Sequence, residues 1–238
     1  MEERRISIQR RDQRMGATRE IQVAAHKLFV QELDDVYDSV TGRPLTGSWV
    51  WDSALLLSQW MSTHLNVEGK TVIELGAGAA GLPGLTAALL GASRVLLTDV
   101  QQLLPGLSSN VEANGFVGRV GVRELVWGSS DGDESMTFDM VLMSDVLYDS
   151  EDMMGLGKTL RMVCGEATQV WAATEIRPWT WECLHQLVAQ GFQVVELETS
   201  QLSAHEHEAA EDGNTSFAIF QIKPVPLAQN SESQQFSH

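Results

Sequence analysis

The amino-acid sequence predicts one α/β domain with a Rossmann-like, largely parallel sheet and helices on both faces. Short apolar runs typical of strands alternate with segments whose apolar residues recur at helical spacing. No internal repeat and no linker interrupts this alternation. A glycine-rich turn joins the strand that begins at Thr71 to the helix after it, as at the start of a nucleotide-binding sheet.

The elements can be placed in order along the chain. Residues 19–33 alternate loosely and are expected to form one or two short strands before the main domain. Helices are predicted over residues 51–65, 101–115, 153–163 and 179–189, with a further helical stretch after Gly81. Strands are predicted over residues 71–73, 95–97, 120–126, 137–144, 168–173, 192–197 and 216–222. The last two strands have no helix between them, so we expect an antiparallel hairpin at the sheet edge.

Two helix ends carry capping signals. Asp52 and Ser53 are candidate N-caps of the first predicted helix, because their side chains can accept hydrogen bonds from free backbone N–H groups. Asn114-Gly115 is a candidate C-cap of the second, because glycine readily adopts the left-handed conformation found there.

Composition limits the class of protein. The chain has 238 residues, of which 43% are hydrophobic, so a full core is possible. No apolar run approaches the roughly 20 residues that a membrane helix needs, so we expect no membrane association. The net charge of −16 argues against a nucleic-acid partner, because nucleic-acid-binding surfaces carry a basic patch.

Positive charge is concentrated at the N-terminus, where the arginines are Arg4, Arg5, Arg10, Arg11, Arg14 and Arg19. A mitochondrial transit peptide is one explanation, but such peptides are poor in acidic residues, and Glu2, Glu3 and Asp12 interrupt this stretch. We favour a solvated or strand-forming arm. No apolar signal-peptide core is present, and Cys164 and Cys183 are expected to be buried thiols in a reducing compartment. We therefore expect a cytoplasmic protein, with the nucleus as a second candidate compartment.

The glycine-rich turn is the most informative feature for function. Residues 71–99 contain a strand, a turn with Gly76, Gly78 and Gly81, a helix, and a second strand that ends at Asp99. Glycines let the backbone approach a ligand closely. Asp99 lies near the usual spacing of about 20 residues and can accept hydrogen bonds from ribose hydroxyls. The sequence therefore predicts an adenosine-containing cofactor, with a simple tight turn as the alternative.

Glu74 bears on which cofactor binds. Its carboxylate comes two residues before the first glycine, where it would repel the pyrophosphate of a dinucleotide. S-adenosylmethionine has no phosphate and carries a cationic sulfonium and ammonium. We therefore predict S-adenosylmethionine as the cofactor and Glu74 among its binding residues, with NAD or FAD as the less favoured alternative.

Asp145 is the best catalytic candidate. It directly follows the strand predicted over residues 137–144, and ligands of doubly wound sheets bind beyond the carboxyl ends of the strands. The alternative is that Asp145 caps the next helix, for which Asp149 and Ser150 are at least as well placed.

These residues together resemble a known family. Trp51 before a helix, ELGAG at residues 74–78, Asp99, Trp127-Gly128 and DVLY at residues 145–148 are similar to the seven-β-strand protein methyltransferases. More narrowly, they resemble lysine methyltransferase family 16, and the likeness runs from about residue 47 to residue 177. The resemblance implies a seven-stranded sheet whose strands, numbered along the chain from Thr71, run in the order 3-2-1-4-5-7-6.

The resemblance also implies roles for individual residues. Asp145 and Tyr148 would face the methyl-accepting group. S-adenosylmethionine would be contacted by Trp51, Gly76, Ala77, Gly78, Asp99, Trp127 and Ser144. Core packing is the alternative for the two tryptophans.

Two departures from the family pattern stand out. GAGAAGLPG carries one additional residue relative to the usual loop, which leaves the shape of the turn open. Val126 stands where an acid often precedes the tryptophan, so adenine recognition would rest on stacking against Trp127 and on backbone groups.

Two further charged motifs are ambiguous. Glu175 and Arg177 match an acid-x-Arg pattern of the family, either as an ion pair at the rim of the cleft or as a substrate contact. The HEHE run at residues 205–208 resembles a metal site only superficially, because no other ligands lie nearby in the sequence, and we expect no metal.

Together with the patterns above, the resemblance predicts an N-terminal arm with short strands (residues 1–46) and an S-adenosylmethionine-dependent methyltransferase domain (47–223). The tail (224–238) is rich in Pro, Ser and Gln and is expected to be disordered. The resemblance implies a monomeric protein N-methyltransferase that acts on a lysine of a soluble protein, with arginine or histidine as alternatives. A chain at −16 should favour an acceptor lysine on a basic or neutral surface. A small-molecule N-methyltransferase, a non-catalytic S-adenosylmethionine-binding module and a dinucleotide oxidoreductase are the other hypotheses.

Overall fold

Two sheets and five α-helices make up the computed structural model, which describes residues 15–34, 36–38, 42–129, 137–197 and 216–225. The strands are β1 Met15–Val23, β2 His26–Leu33, β3 Thr71–Leu75, β4 Arg94–Asp99, β5 Val120–Glu124, β6 Phe138–Ser144, β7 Cys164–Glu175, β8 Phe192–Glu196 and β9 Phe217–Pro224. The α-helices are α1 Asp52–His64, α2 Leu82–Leu89, α3 Leu104–Ala113, α4 Met153–Val163 and α5 Thr180–Ala189. Short 3₁₀ turns at Thr46–Ser48 and Gln101–Leu103 precede α1 and α3.

The main sheet has seven strands in the order β5-β4-β3-β6-β7-β9-β8. Numbered from β3, this order is 3-2-1-4-5-7-6, so the implied topology is confirmed. Strands β5, β4, β3, β6 and β7 run parallel to one another, and β9 runs antiparallel to both β7 and β8. The sheet is therefore largely parallel with an antiparallel edge, as predicted.

Helices cover both faces of the sheet because its strands are apolar on both sides. On one face, Val72 of β3 shares a core with apolar side chains of α1, α2 and α3. On the other face, the adjacent Ile73 shares a second core with α4 and α5. Successive side chains of a strand point to opposite faces, and a parallel strand buried on both faces has an almost continuous apolar sequence.

The N-terminal strands form an antiparallel hairpin, β1–β2, that packs on the main domain. Its buried side chains Ile21, Val23, Leu28 and Val30 belong to the same core as α1. The boundary at residue 46 stays a prediction, but the described part of the arm contributes directly to the core of the domain.

Several predicted boundaries need correction. Strand β7 begins at Cys164 rather than at residue 168, and β9 includes Pro224, which pairs with Phe192 and was placed in the tail. Asp52 and Ser53 are not N-caps: Trp51 occupies the cap position, and its carbonyl accepts the Ala54 N–H. The C-cap prediction is confirmed, since Asn114 occupies the C-cap position directly after α3 and Gly115 has a positive φ. The predicted acidic loop at residues 199–214 and the tail from residue 226 lie outside the described residues.

Candidate active site

A cavity of about 430 Å³ opens at the carboxyl ends of β3, β4, β5 and β6. Parallel strands all end at the same edge of the sheet, so the loops that follow them converge there. A further wall comes from residues 45–51, before α1. Nine of the ten predicted site residues line the cavity: Trp51, Gly76, Ala77, Gly78, Asp99, Trp127, Ser144, Asp145 and Tyr148. Glu74 does not line it, and the roles of all ten stay predictions.

The turn between β3 and α2 (residues 76–81, the glycine loop) forms the floor of the cavity. Gly76 and Gly78 both have positive φ, of +66° and +63°, which most side chains tolerate poorly. A Cβ on Gly76 would lie 2.9 Å from Val146, and one on Gly78 would lie 2.6 Å from the Gly47 carbonyl oxygen. Glycine is therefore required at both positions by conformation and by space.

Asp99 at the end of β4 holds the glycine loop in place. Its Oδ2 accepts the Gly78 N–H at 2.7 Å, and its Oδ1 accepts the Val100 N–H at 2.7 Å. Burial raises the pKa of Asp99 above its ordinary value, while the two backbone hydrogen bonds lower it. A carboxylate has about four acceptor sites, so this side chain can also accept from ribose hydroxyls.

Glu74 supports the glycine loop from beneath rather than facing the cavity. Its side chain is fully buried, and its Oε2 accepts the Gly84 N–H in the first turn of α2 at 2.7 Å. Burial raises the pKa of Glu74 to about 8, the Gly84 hydrogen bond lowers it, and the charge of Asp99 raises it. At pH 7 the carboxyl is therefore mostly neutral and carries no full charge to repel a pyrophosphate. The structure therefore corrects the expected place of Glu74 in the cavity and the argument from its charge.

The two tryptophans of the site are not simply core residues. Trp51 is 37% exposed, and its indole N–H donates to the Thr46 carbonyl at 3.0 Å. Trp127 is half-buried, packs on the second core and also lines the cavity beside Gly76. Both rings are available to a ligand in the cavity.

Asp145 is held in an unusual conformation at the end of β6. Its φ of +55° is uncommon for a residue with a side chain, and such strain is frequent at functional sites. Its N–H donates to the Ala173 carbonyl at 2.9 Å. Helix α4 starts only at Met153 with Asp152 at its N-cap, so Asp145 is not a helix cap.

Arg177 forms the main contact of the Asp145 carboxylate. Its Nη1 and Nη2 donate to Oδ1 and Oδ2 of Asp145 at 2.8 and 3.1 Å, and Thr174 donates to Oδ1 at 3.2 Å. Arg177 also pairs with Glu175, and its guanidinium lies 5.7 Å from the centre of the Trp51 ring. Burial lowers the pKa of Arg177, but the hydrogen bonds and charges of Asp145 and Glu175 outweigh this and raise it. Of the two alternatives for Arg177, the structure shows the ion pair.

Tyr148 stands at the mouth of the cavity with half of its surface exposed. Partial burial and the negative charges of Asp152, Asp99 and Asp149 raise the pKa of Tyr148 to about 12. The phenol is therefore neutral near pH 7 and can both donate and accept a hydrogen bond.

Comparison with known proteins places this fold and site in a family. The family model described as "lysine methyltransferase" matches residues 38–188, which include every predicted site residue. The chain belongs to the lysine methyltransferase family. This agrees with the resemblance found in the sequence.

Two mouse relatives show how far the likeness extends. Protein N-lysine methyltransferase METTL21A of Mus musculus is 38% identical over 133 residues, which cover 54% of this chain and 60% of the relative. EEF1A lysine methyltransferase 3 of Mus musculus is 38% identical over 130 residues, which cover 54% of this chain and 55% of the relative. The matched part thus spans under two thirds of either relative.

A solved structure supports the family's fold at larger distance. The ribosomal protein L11 methylase from Lactobacillus delbrueckii subsp. bulgaricus superposes with a TM-score of 0.56, over 86% of this chain and 98% of that one. The sequence identity is only 16%, so this likeness concerns the fold alone.

The structure adds residues that the sequence did not single out. Gly47, Trp49 and Val50 form the wall before α1, and Glu151 and Asp152 line the mouth beside Tyr148. Glu32 of β2 fixes this wall by accepting the Val50 N–H at 2.9 Å. No pattern in a single sequence links positions 32 and 50, because the contact arises only from the way the hairpin packs.

Neither a membrane-spanning helix nor a metal-binding cluster occurs in the described ranges. None of the helices there is long and apolar enough to cross a membrane. Among the same residues, no group of three or more His, Cys, Asp or Glu side chains is placed to hold a metal ion. The HEHE run at residues 205–208 lies outside those ranges.

Proposed function

We propose that this chain is an S-adenosylmethionine-dependent protein N-methyltransferase that methylates a lysine of a soluble protein. The observation that carries the proposal is that the glycine loop with Asp99 and the pair Asp145 and Tyr148 line one cavity. Membership in the lysine methyltransferase family, and two relatives named as lysine methyltransferases, support it.

The cofactor half of the cavity suits an adenosyl group. Asp99 would accept hydrogen bonds from the ribose hydroxyls while its backbone contacts keep the carboxylate in place. Trp127 would offer a flat apolar face to the adenine, and Gly76 and Gly78 leave space for the ligand beside the backbone. The methionine part would then extend toward Ser144 and Asp145.

The acceptor half suits an amine. S-adenosylmethionine, when bound, supplies a methyl group activated by its sulfonium. Asp145 would accept a hydrogen bond from the incoming amine through a lone pair that Arg177 and Thr174 leave free, and would thereby orient it. The attacking amine must be neutral, so the lysine would first release its proton to solvent, and the methyl–sulfur bond would break as the nitrogen–methyl bond forms. Trp51 and Tyr148 would present aromatic faces to the positive charge that the lysine carries before it loses the proton and that the methylated amine carries after transfer. Holding the amine about 3–3.5 Å from the methyl carbon could by itself lower the barrier by several kcal/mol.

The partner we propose is a protein with an exposed lysine in a basic or neutral setting. The net charge of −16 would attract basic surfaces and repel nucleic acids and acidic proteins at long range. We further propose that the enzyme acts as a monomer in the cytoplasm, with the nucleus as a second compartment to test.

The test is to incubate the purified chain with radiolabelled S-adenosylmethionine and a cell extract. Label should enter a protein band, and acid hydrolysis should release labelled methyl-lysine. Asp145→Asn should remove the label, whereas Glu166→Gln should not, because Glu166 is exposed at the amino end of β7. Label found only in small metabolites would refute the proposal in favour of a small-molecule methyltransferase.

A further inference from the structure

The outer edge of β2 is completed by side chains instead of a third strand. Within the part of the chain that the structure describes, the hairpin sheet has two strands, and one edge of β2 has no strand partner there. Phe29 and Gln31 lie two residues apart, which points their backbone groups to the same side. Asn114 accepts the Phe29 N–H at 2.9 Å and donates to the Phe29 carbonyl at 2.7 Å. Asn110 does the same for Gln31, at 2.7 and 3.0 Å.

The two asparagines differ in what their second amide hydrogen does. The Asn114 amide donates back to the Asn110 carbonyl of its own helix at 2.8 Å. The Asn110 amide donates instead to the Ala79 carbonyl at 2.9 Å, inside the glycine loop. Asn110 is fully buried, and its hydrogen bond to the Ala79 carbonyl is shielded from water, whereas its two hydrogen bonds with Gln31 are partly buried.

Ala79 is held on both sides, and its neighbour is tied to Asp99. The Ala79 N–H donates to the Gly47 carbonyl at 2.6 Å, while the Ala79 carbonyl accepts from Asn110. The preceding residue, Gly78, donates its N–H to Asp99. Displacement of Ala79 would therefore move the backbone that sets the position of the Asp99 carboxylate.

We infer that Asn110 is a positioning residue that couples the N-terminal hairpin to the cofactor site through Ala79. It fixes the glycine loop in the conformation that the cofactor needs, and the bound cofactor in turn fixes the outer edge of β2 at Gln31. Asn114 supports the same edge without reaching the loop. The inference rests on the proposed cofactor site but not on the identity of the methyl acceptor.

Calorimetry with S-adenosylhomocysteine separates the two asparagines. The wild-type titration tests the cofactor site itself, and the variants test the coupling. Asn110→Ala should raise the Kd about five- to tenfold, the effect expected for a lost buried hydrogen bond. Asn114→Ala should change the Kd less than about twofold, because its lost contacts lie outside the loop. Each titration is run well below the melting temperature of that variant. Equal Kd values for the two variants would overturn the inference.

Amide hydrogen exchange gives a second test, which uses only the wild-type chain and so does not depend on whether a variant folds. Coupling is reciprocal, so saturating S-adenosylhomocysteine should slow exchange of the Gln31 amide by about threefold more than that of the Phe29 amide. The Phe29 amide is the internal control, since it is bonded to Asn114. Equal slowing of both amides, or no slowing at Gln31, would contradict the coupling.

Discussion

The two halves of the cavity differ in whether backbone or side-chain groups form them. The cofactor half is largely backbone: the glycine loop is held by the Asp99 carboxylate, the Gly47 carbonyl and the Asn110 amide. The acceptor half consists of side chains, in which Arg177 binds Asp145 and lies over the ring of Trp51. We infer that changes in the first half alter cofactor affinity, and that changes in the second alter methyl transfer.

The largest effect is expected in the cofactor half. Asp99→Ala should weaken binding of S-adenosylhomocysteine at least about 100-fold, because two charge-assisted hydrogen bonds to ribose, each worth roughly 1.5–3 kcal/mol, would be lost. Isothermal titration calorimetry with S-adenosylhomocysteine measures this change in Kd. Asp139→Ala is the matched control, since Asp139 also accepts a backbone N–H, from Thr71, but lies at the opposite end of the sheet. Unchanged affinity in Asp99→Ala would remove this residue from the site.

The next effect concerns the free energy of unfolding and comes from Glu74, which lies beneath the glycine loop. The pKa of Glu74 is raised from 4.5 to about 8 in the folded chain, so the native state holds a proton that the unfolded state releases. The raised pKa of Glu74 therefore adds to the free energy of unfolding, and this stabilisation is fully present below about pH 4.5. It amounts to roughly 3–5 kcal/mol and is lost as the pH rises toward 8. Glu74→Gln should remove this pH dependence. Urea unfolding of both proteins at pH 5, 7 and 8.5 measures the difference, and parallel pH profiles would show that Glu74 is not protonated in the native state.

A smaller effect should appear in the acceptor half. Arg177→Lys replaces a two-pronged guanidinium with a single ammonium, so Asp145 would lose one of its two aligned hydrogen bonds. We expect kcat for a labelled protein acceptor to fall about tenfold, with little change in the Kd for S-adenosylhomocysteine. Arg161→Lys is the control, because Arg161 donates to the Gln190 carbonyl away from the cavity. A loss of cofactor affinity in Arg177→Lys equal to the loss of kcat would break the distinction between the halves.

The smallest effect is electrostatic and lies outside the cavity. If attraction to a basic acceptor surface aids binding, the KM for the protein acceptor should rise several-fold with salt, since the Debye length falls from about 10 Å at 0.1 M to about 3 Å at 1 M. Steady-state kinetics across that range provide the measurement, with the KM for S-adenosylmethionine as internal reference. A salt-independent KM for the acceptor would contradict the proposed basic surface.

The same contrast explains what could be predicted from the sequence. The alternation of strands and helices follows from local periodicity, and the strand order was implied by the family resemblance. The line of Gly76, Gly78 and Asp99 along the cavity follows from backbone conformations that only certain residues adopt. The start of β7 was missed because Gly165 and Glu166 carry no strand signal, and they join the strand only through the sheet. Local patterns therefore predict the backbone part of the cavity.

Contacts between distant side chains could not be predicted in this way. Glu74 looked like a cofactor ligand because it precedes the glycines, but alternation along β3 turns it toward α2. The sequence suggested either an ion pair of Arg177 with Glu175 or a substrate contact, and it gave no sign of the ion pair between Arg177 and Asp145, which depends on how β6 and β7 align. The link from Asn110 to Ala79 joins a helix to a loop 31 residues away. Each of these contacts is set by packing, which one sequence does not display.

The most direct test of the two-part cavity is a pair of measurements on one preparation of Asp145→Asn. The Kd for S-adenosylhomocysteine should remain within about twofold of wild type, because no contact of Asp145 reaches the glycine loop or Asp99 among the hydrogen bonds of the described residues. Methyl transfer to the labelled protein band should fall by about 100-fold or more, because the amine loses its orienting partner. A variant that transfers methyl groups at the wild-type rate, or that loses cofactor affinity in the same proportion as activity, would contradict the account.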